Sequence, residues 1–379
     1  MKTGLCFKRA LGNRRGAVAV IVALLSLVLF MFVALAIDIG YLAVTKNELQ
    51  NIADAGALAG ARRVGRLYEC NGDIINCTES MSYEDQQTYA VDPDTVGDVV
   101  SDVASRNQAG GRDSIIINDT DIVIGQWNSD TVPGTINPVT PVAPTAVRVT
   151  ARRDSQANNA ITTFFAGVMG VDTLEVSADA TAALSGLSSM AEGYLPIPVA
   201  INHDYVRTMP CNEDFVFHPS SGDVCSAWHV YQGNDYKNPS GSQMKKMIED
   251  MTAFEFSSPE TTAYDSQYVF TNGELANLFT SEAIQNLFHT MKVINEPPLD
   301  NDDDPETWTT YVAVYDDTVE GCSPNREITI VGFAAVKITA VAPPPETTIY
   351  AQVVCDLIGR GNPNGTNYGV LSAIPGLVE

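Results

Sequence analysis

The sequence is poor in the residues that carry most enzyme chemistry, and poor in positive charge. Histidine occurs four times and tryptophan three times in 379 residues. No G-x-S-x-G, H-E-x-x-H or G-x-x-x-x-G-K-[ST] pattern occurs. That argues against nucleophile-elbow hydrolases, H-E-x-x-H zinc peptidases and P-loop NTPases, whose mechanisms need those residues at those spacings. GRGNPNG at 359–365 has glycines, but proline interrupts it and no helical pattern follows, so it reads as a turn and not a phosphate cradle. Lysine and arginine total 22 against 46 aspartates and glutamates. The deficit is uneven: residues 67–379 hold 13 of the basic residues and 43 of the acidic ones, a net −30. Such a surface repels phosphate backbones, so nucleic acid is not expected as a partner.

Charge is missing altogether from residues 16–37, GAVAVIVALLSLVLFMFVALAI. A helix rises about 1.5 Å per residue, so this run matches a hydrocarbon core of roughly 30 Å. Lys2, Lys8, Arg9, Arg14 and Arg15 precede it and Asp38 follows. The excess of basic residues on one side places residues 1–15 in the cytoplasm and the rest of the chain on the extracytoplasmic side. Ala34 and Ala36 form an A-x-A-like cleavage site. The run is longer than the roughly 7–15 residues of a signal-peptide core, so a retained anchor is preferred to a cleaved signal.

Cys6 lies on the cytoplasmic side and is expected as a free thiol; Cys70, Cys77, Cys211, Cys225, Cys322 and Cys355 lie on the exported side. Disulfides are the default there. Six cysteines leave the pairing open, and spacing suggests Cys70–Cys77 and Cys211–Cys225 as local loops with Cys322–Cys355 as the longer one. Cys211, His218, Cys225 and His229 could in principle bind zinc, but no C-x-x-C knuckle is present and the compartment favours disulfide. The loop containing Glu296, Asp300, Asp302, Asp303, Asp304 and Glu306 offers oxygen ligands suited to calcium. It lacks the glycine and distal glutamate of an EF-hand, and a solvated acidic loop is the plainer reading. No cofactor is called for.

The expected fold class is α+β. A single transmembrane helix over 16–37 continues into a stalk helix over 38–66. A first exported α+β domain covers 67–190 and a second, mostly antiparallel, covers 191–379. Ala53, Gly56, Ala57, Gly60 and Ala61 share one helix face. That face either lies on the chain's own domain or packs against another helix, the second option allowing an oligomer through the N-terminal helix. Helices are expected near 94–108, 157–169, 242–252 and 281–291. In the second of these, Ile161, Phe164, Phe165, Val168 and Met169 fall on one side. IIIN, DIVIGQW, TAVRVTA and TLEVSADATAAL read as strands of the first domain, with a long hairpin loop over 129–145. LPIPVAIN, TWTTYVAVYDD, REITIVGFAAVKITAV and TTIYAQVVCDLI read as strands of the second. Trp127, Trp228 and Trp308 are expected in cores, and His289 as structural.

RRGAVAVIVALL followed by ALAIDIGYLAVTKNELQNIADAGALAGAR resembles the N-terminal module of TadG-like and TadE/G-like proteins of the Tad (Flp) pilus-assembly system. AVRVTARRDSQANNAITTFFAGVMGVDTLEVSADATAAL is similar to the continuation in such proteins. Together these cover about a third of the chain. The resemblance implies a single-pass protein of the bacterial inner (cytoplasmic) membrane with a periplasmic or extracellular C-terminal region. It implies an accessory or structural role through contacts with other envelope or pilus-assembly proteins, without enzymatic activity. Processed pilins of that system carry glutamate five residues after the cleavage glycine; here that position is Ile21. The D-x-S-x-S metal site of some relatives is absent as well. The alternative function is a membrane-anchored adhesin or ligand-binding module using the acidic, calcium-candidate region.

Overall fold

The computed structural model describes residues 14–77, 80–128, 134–138, 142–217, 225–231, 240–271, 278–294, 306–316, 325–343, 348–359 and 361–378. Its first element, helix α1, runs unbroken over Arg14–Glu69, about 84 Å at 1.5 Å per residue. No proline interrupts it. It stops where Asn71 and Gly72 turn to positive φ (45° and 76°) and the Gly72 N–H returns to the Leu67 carbonyl at 2.7 Å. From Val18 to Ile37 its large apolar side chains are exposed. From Leu49 onward a stripe at helical spacing is buried: Leu49, Ile52, Ala53, Ala57, Ala61, Val64 and Tyr68.

Elements α2 (Tyr83–Thr88) and α3 (Pro93–Ser105) follow. Next come strands β1 (Ile122–Asn128), β2 (Thr135–Asn137) and β3 (Ala146–Arg153). A short ladder, β4 (Ile161–Thr162) with β5 (Thr173–Leu174), precedes the long strand β6 (Val176–Gly186). The next region holds β7 (Val199–Asn202), α4 (His203–Thr208), β8 (Asp214–Phe217), β9 (Ser226–Val230), α5 (Gly241–Thr252), β10 (Gln267–Thr271), α6 (Leu278–Ile294), β11 (Trp308–Tyr315), β12 (Glu327–Val341) and β13 (Ile349–Val354). The chain ends in β14 (Leu357–Gly359) and β15 (Val370–Val378).

Two sheets organise these strands. The first has the order β14-β15-β6-β3-β1-β2, antiparallel except for the β14–β15 pair. The buried stripe of α1 lies across it, with α3 alongside. The small residues of α1 set that approach. A Cβ at Gly60 would lie 3.0 Å from Val147, 3.1 Å from Val100 and 3.2 Å from Val96; one at Gly65 would lie 1.9 Å from the Ala373 carbonyl oxygen. The face Ala53, Gly56, Ala57 and Gly60 is therefore occupied by the chain's own sheet and α3, and residues 49–69 form a core helix of the first layer instead of a free stalk.

The second sheet runs β8-β13-β12-β10-β9-β7-β11, and β11 pairs again with β12. Fifteen-residue β12 makes this closure, holding β10 with residues 327–329 and β11 with residues 330–338. Five strands thus close into a barrel, which leaves no free edge among them. Trp228 and Trp308 are buried in this sheet, whereas Trp127 in β1 is only partly covered.

Four expectations need correction. IIIN is not a strand: Ile115 and Ile117 are buried, but the Asn158 side chain takes the place of a ladder partner, accepting from the Ile116 N–H (2.9 Å) and donating to its carbonyl (2.8 Å). Residues 157–169 are not a helix; they enter the β4–β5 hairpin and a 3-10 turn at Ala166–Met169. Strand β2 lies within the expected loop at 129–145. The last strand, β15, was not anticipated. With β14 it returns from the second sheet to the first, so a single cut at 190/191 does not separate the two sheets. Gln86 in α2 secures that return, bonding both the N–H (2.8 Å) and carbonyl (3.1 Å) of Ile358.

The cysteine pairing is as expected for Cys70–Cys77 and differs for the others. Cys70 bonds Cys77, and Cys211 bonds Cys355 across 144 positions. The register explains the second: β8 pairs antiparallel with β13, Asp214 facing Gln352, and continuing it by three residues sets Cys211 opposite Cys355. Cys225 is itself disulfide-bonded, so the pairs Cys211–Cys225 and Cys322–Cys355 do not form.

Candidate functional site: the grip on the long helix

The first charged residue after the apolar run is Asp38, and it is only 4 % exposed. Its Oδ1 accepts the Phe164 N–H at 2.8 Å; its Oδ2 accepts those of Phe165 (3.0 Å) and Ala166 (2.7 Å). Three amides on one carboxylate are charge-assisted bonds, stronger and more directional than neutral ones. They fasten the β4–β5 loop to α1. The Tyr41 ring meets Phe164 edge-on, centroids 5.4 Å apart.

A second loop grips α1 further along. The Glu48 carboxylate accepts the Gly110 N–H at 2.7 Å. Gly110 sits at φ 56°, and a Cβ there would lie 2.8 Å from Thr45 and 3.0 Å from Arg153, so glycine serves both the turn and the close contact. Buried Arg153, at the end of β3, ties the Gly110 loop to the segment leading into β4. It donates to the carbonyls of Ala109 (2.6 Å), Gly110 (3.0 Å) and Asn159 (2.8 Å).

The loop held by Asp38 is apolar and outward-facing. Phe164 is 63 % exposed, Phe165 43 %, Val168 89 % and Met169 79 %. An apolar groove of about 350 Å³ lies between Phe165, Val168 and Met169 on one side and α1 from Leu27 to Ile37 on the other. The exposed stretch of α1 and the loop therefore form one continuous apolar surface at one end of the first sheet.

We predict that Asp38→Ala releases this loop alone. Amide hydrogen exchange at Phe164, Phe165 and Ala166 should accelerate to the rate of an open loop. The Gly110 amide, held by Glu48, should keep its protection. Unchanged exchange at all three would show that the carboxylate does not hold the loop.

The other sequence candidates are dispersed. Glu296, Asp300, Asp302, Asp303 and Asp304 lie outside the described residues. Glu306 is exposed and pairs with Lys292 at 2.8 Å, which holds its carboxyl below the ordinary range. Among the described residues no group of three or more His, Cys, Asp or Glu side chains could hold a metal. Cys211 is in its disulfide and His229 is in the barrel core, so the zinc set is not assembled; His218 lies outside the described residues. A cleft of about 270 Å³ between Tyr194, Met251, Phe256 and Met291 has Glu192 and Tyr194 as its titratable lining, without a nucleophile–base pair. The Asp38 clasp has no mark in the sequence, where Asp38 is only a charge flanking the membrane run. Gly167, inside the supposed helix at 157–169, is the available signal against it.

Comparison with known proteins bears on these same elements. Residues 16–63 match the Tad family model, described as Flp pilus-assembly TadE/G-like, and residues 79–182 match the Tad_C model, described as Tad-like Flp pilus-assembly. No curated protein and no solved structure matches the chain. The first match covers the apolar run and the gripped part of α1, and the second covers α3, β1–β5 and the clasped loop. Residues 16–63 of the long N-terminal helix are thus similar to the TadE/G-like module, and the layer that holds that helix is similar to the Tad-like one, the two matches covering less than half of the chain.

Proposed function

We propose that this protein is a membrane-anchored accessory or structural component of a Tad/Flp-type pilus-assembly apparatus, acting through protein–protein contacts and without catalytic activity of its own. In this reading α1 crosses the inner membrane once over residues 16–37, residues 1–15 stay in the cytoplasm, and both sheets lie on the oxidising side. The supporting observation is that α1 is a single helix serving two purposes. Its first part is apolar and exposed except where it faces the loop of Phe165, Val168 and Met169; its second part is the core helix of the first sheet. Motion or force on the membrane segment is then delivered directly into the exported fold, with no flexible linker between. The disulfides fit export, and Ile21 in place of a glutamate fits a retained anchor better than a processed subunit.

Deleting the gene should abolish Flp-type pili on electron micrographs and reduce surface attachment. The full chain should restore both; residues 38–379 exported from a cleavable signal should not. Normal piliation in the deletion strain would reject the proposal.

A further inference from the structure

We propose that the loop Thr163–Val171 is a second membrane contact: an apolar finger that enters the outer leaflet beside α1 and fixes the exported fold to the bilayer at two points. The inference rests on the reading of residues 16–37 as a membrane span. Composition supports it first, since no charged residue occurs from Ile161 to Val171. Phe164, Phe165, Val168 and Met169 form a cluster facing solvent, which water disfavours and a hydrocarbon boundary favours. Placement comes second. The groove beside the finger is walled by Leu27, Phe30, Met31 and Val33 of α1; Met31 is seven residues before Asp38, about 10 Å along the helix. That matches the roughly 5–10 Å to which interfacial elements sink.

Hydrogen bonding points specifically to lipid. Backbone N–H groups at membrane depth need internal partners because hydrocarbon supplies none. At least seven of the nine from Thr163 to Val171 have one. Asp38 takes those of Phe164, Phe165 and Ala166. Carbonyls of the same hairpin take those of Thr163, Val168, Gly170 and Val171. The Thr163 hydroxyl donates to the Val171 carbonyl at 2.6 Å. A solvent-facing loop has no need of such closure. With the finger clasped by Asp38 and α1 gripped at Gly110, the contact restricts tilting of the fold over the membrane.

The test uses the full chain with Cys6→Ser, reconstituted in phosphatidylcholine–phosphatidylglycerol vesicles, some lipids carrying a nitroxide on the acyl chain. An environment-sensitive fluorophore is attached at Val168→Cys and, separately, at Met169→Cys, Leu24→Cys in the apolar run, and exposed Val293→Cys on α6. The finger labels should be blue-shifted, quenched by nitroxide to an extent comparable with Leu24, and several-fold less sensitive to aqueous iodide than Val293. Finger labels that behave like Val293 while Leu24 is quenched would overturn the finger and leave the anchor standing. Blue-shifted finger labels without nitroxide quenching would mean that protein covers the loop, which also overturns it. Absence of quenching at Leu24 would reject the membrane span itself.

Discussion

Replacing Cys211 and Cys355 together by alanine should lower the unfolding free energy by about 5 kcal/mol, because that crosslink closes a loop spanning 144 positions and loop-closure entropy grows with the logarithm of length. The same relation gives about 2.5 kcal/mol for Cys70→Ala with Cys77→Ala, which opens a separation of only seven. The comparison isolates loop length, since both changes remove one disulfide. The longer bridge clips β8 to β13, the two strands that extend the sheet beyond the closed barrel, so its loss should loosen that flap first. Urea midpoints of the full chain in detergent, with matched unfolding slopes, measure both losses. Equal losses, or a smaller loss at Cys211–Cys355, would contradict the chain-entropy account and place the stabilisation in local native contacts.

Local patterns made much of the fold legible. The uncharged 22-residue run and its continuation through helix formers gave α1. Val96 and Val100, four apart, gave α3, and the alternation in TAVRVTA gave β3. Period-2 and 3.6 patterns report burial on one face of one element, which is why these succeeded. They failed where the partner was distant or unusual. Ile115 and Ile117 alternate as a strand does, yet their backbone is met by the Asn158 side chain. Phe164, Phe165, Val168 and Met169 fall at helical spacing, yet they line a loop whose amides go to Asp38, more than 120 positions away. Cys211 and Cys225 are close in sequence, but the β8–β13 register sets Cys211 against Cys355. Strand β15 contains Pro375 and Gly376, and no local pattern announces that it will pair with β6. The small-residue face of α1 showed that something packs closely there; it could not show whether the neighbour was another chain or, as found, Val147, Val100 and Val96 of the same one.

The site divides along the same line. The membrane run and the sign of its flanks lie within one stretch of sequence. The clasp, by contrast, needs a carboxylate at 38, amides at 164–166, a turn at 110 and a guanidinium at 153. Each of these is unremarkable alone. Asp38 looks like any polar residue ending a membrane run until the fold brings three N–H groups onto it.

Acid should begin to destabilise this protein through His229 before its carboxylates are protonated. His229 lies on β9 inside the barrel, 1 % exposed. It stacks on Tyr268 at 4.5 Å between centroids and meets the edge of Tyr231 at 4.9 Å. Burial pushes its pKa down to about 3, a backbone contact with Val199 opposing only in part. The unfolded chain titrates near 6.5. Above that pH the ring is neutral in both states and contributes nothing to the pH dependence. Between about 6.5 and 3 the unfolded chain binds a proton that the folded chain refuses, so stability falls by about 1.4 kcal/mol per pH unit as pH drops. The fall levels off below the folded pKa, by which point it amounts to about 5 kcal/mol. Carboxylates held below their ordinary range, such as Asp73 beside Asn76 and Glu306 beside Lys292, add to acid unfolding only at lower pH, near the usual carboxylate range. Asp356, whose carboxyl burial pushes up, acts in the opposite sense on acidification and is common to both proteins, so the difference between the parent and a His229 variant in the window from about 6.5 to 4.5 reports the histidine. In His229→Phe, which keeps an aromatic ring against Tyr268, urea midpoints should not show the parent's decline across that window, the gap between the two widening as pH falls. Parallel slopes in the two proteins would show that His229 accepts a proton inside the barrel, and that the closed strands admit water to its core.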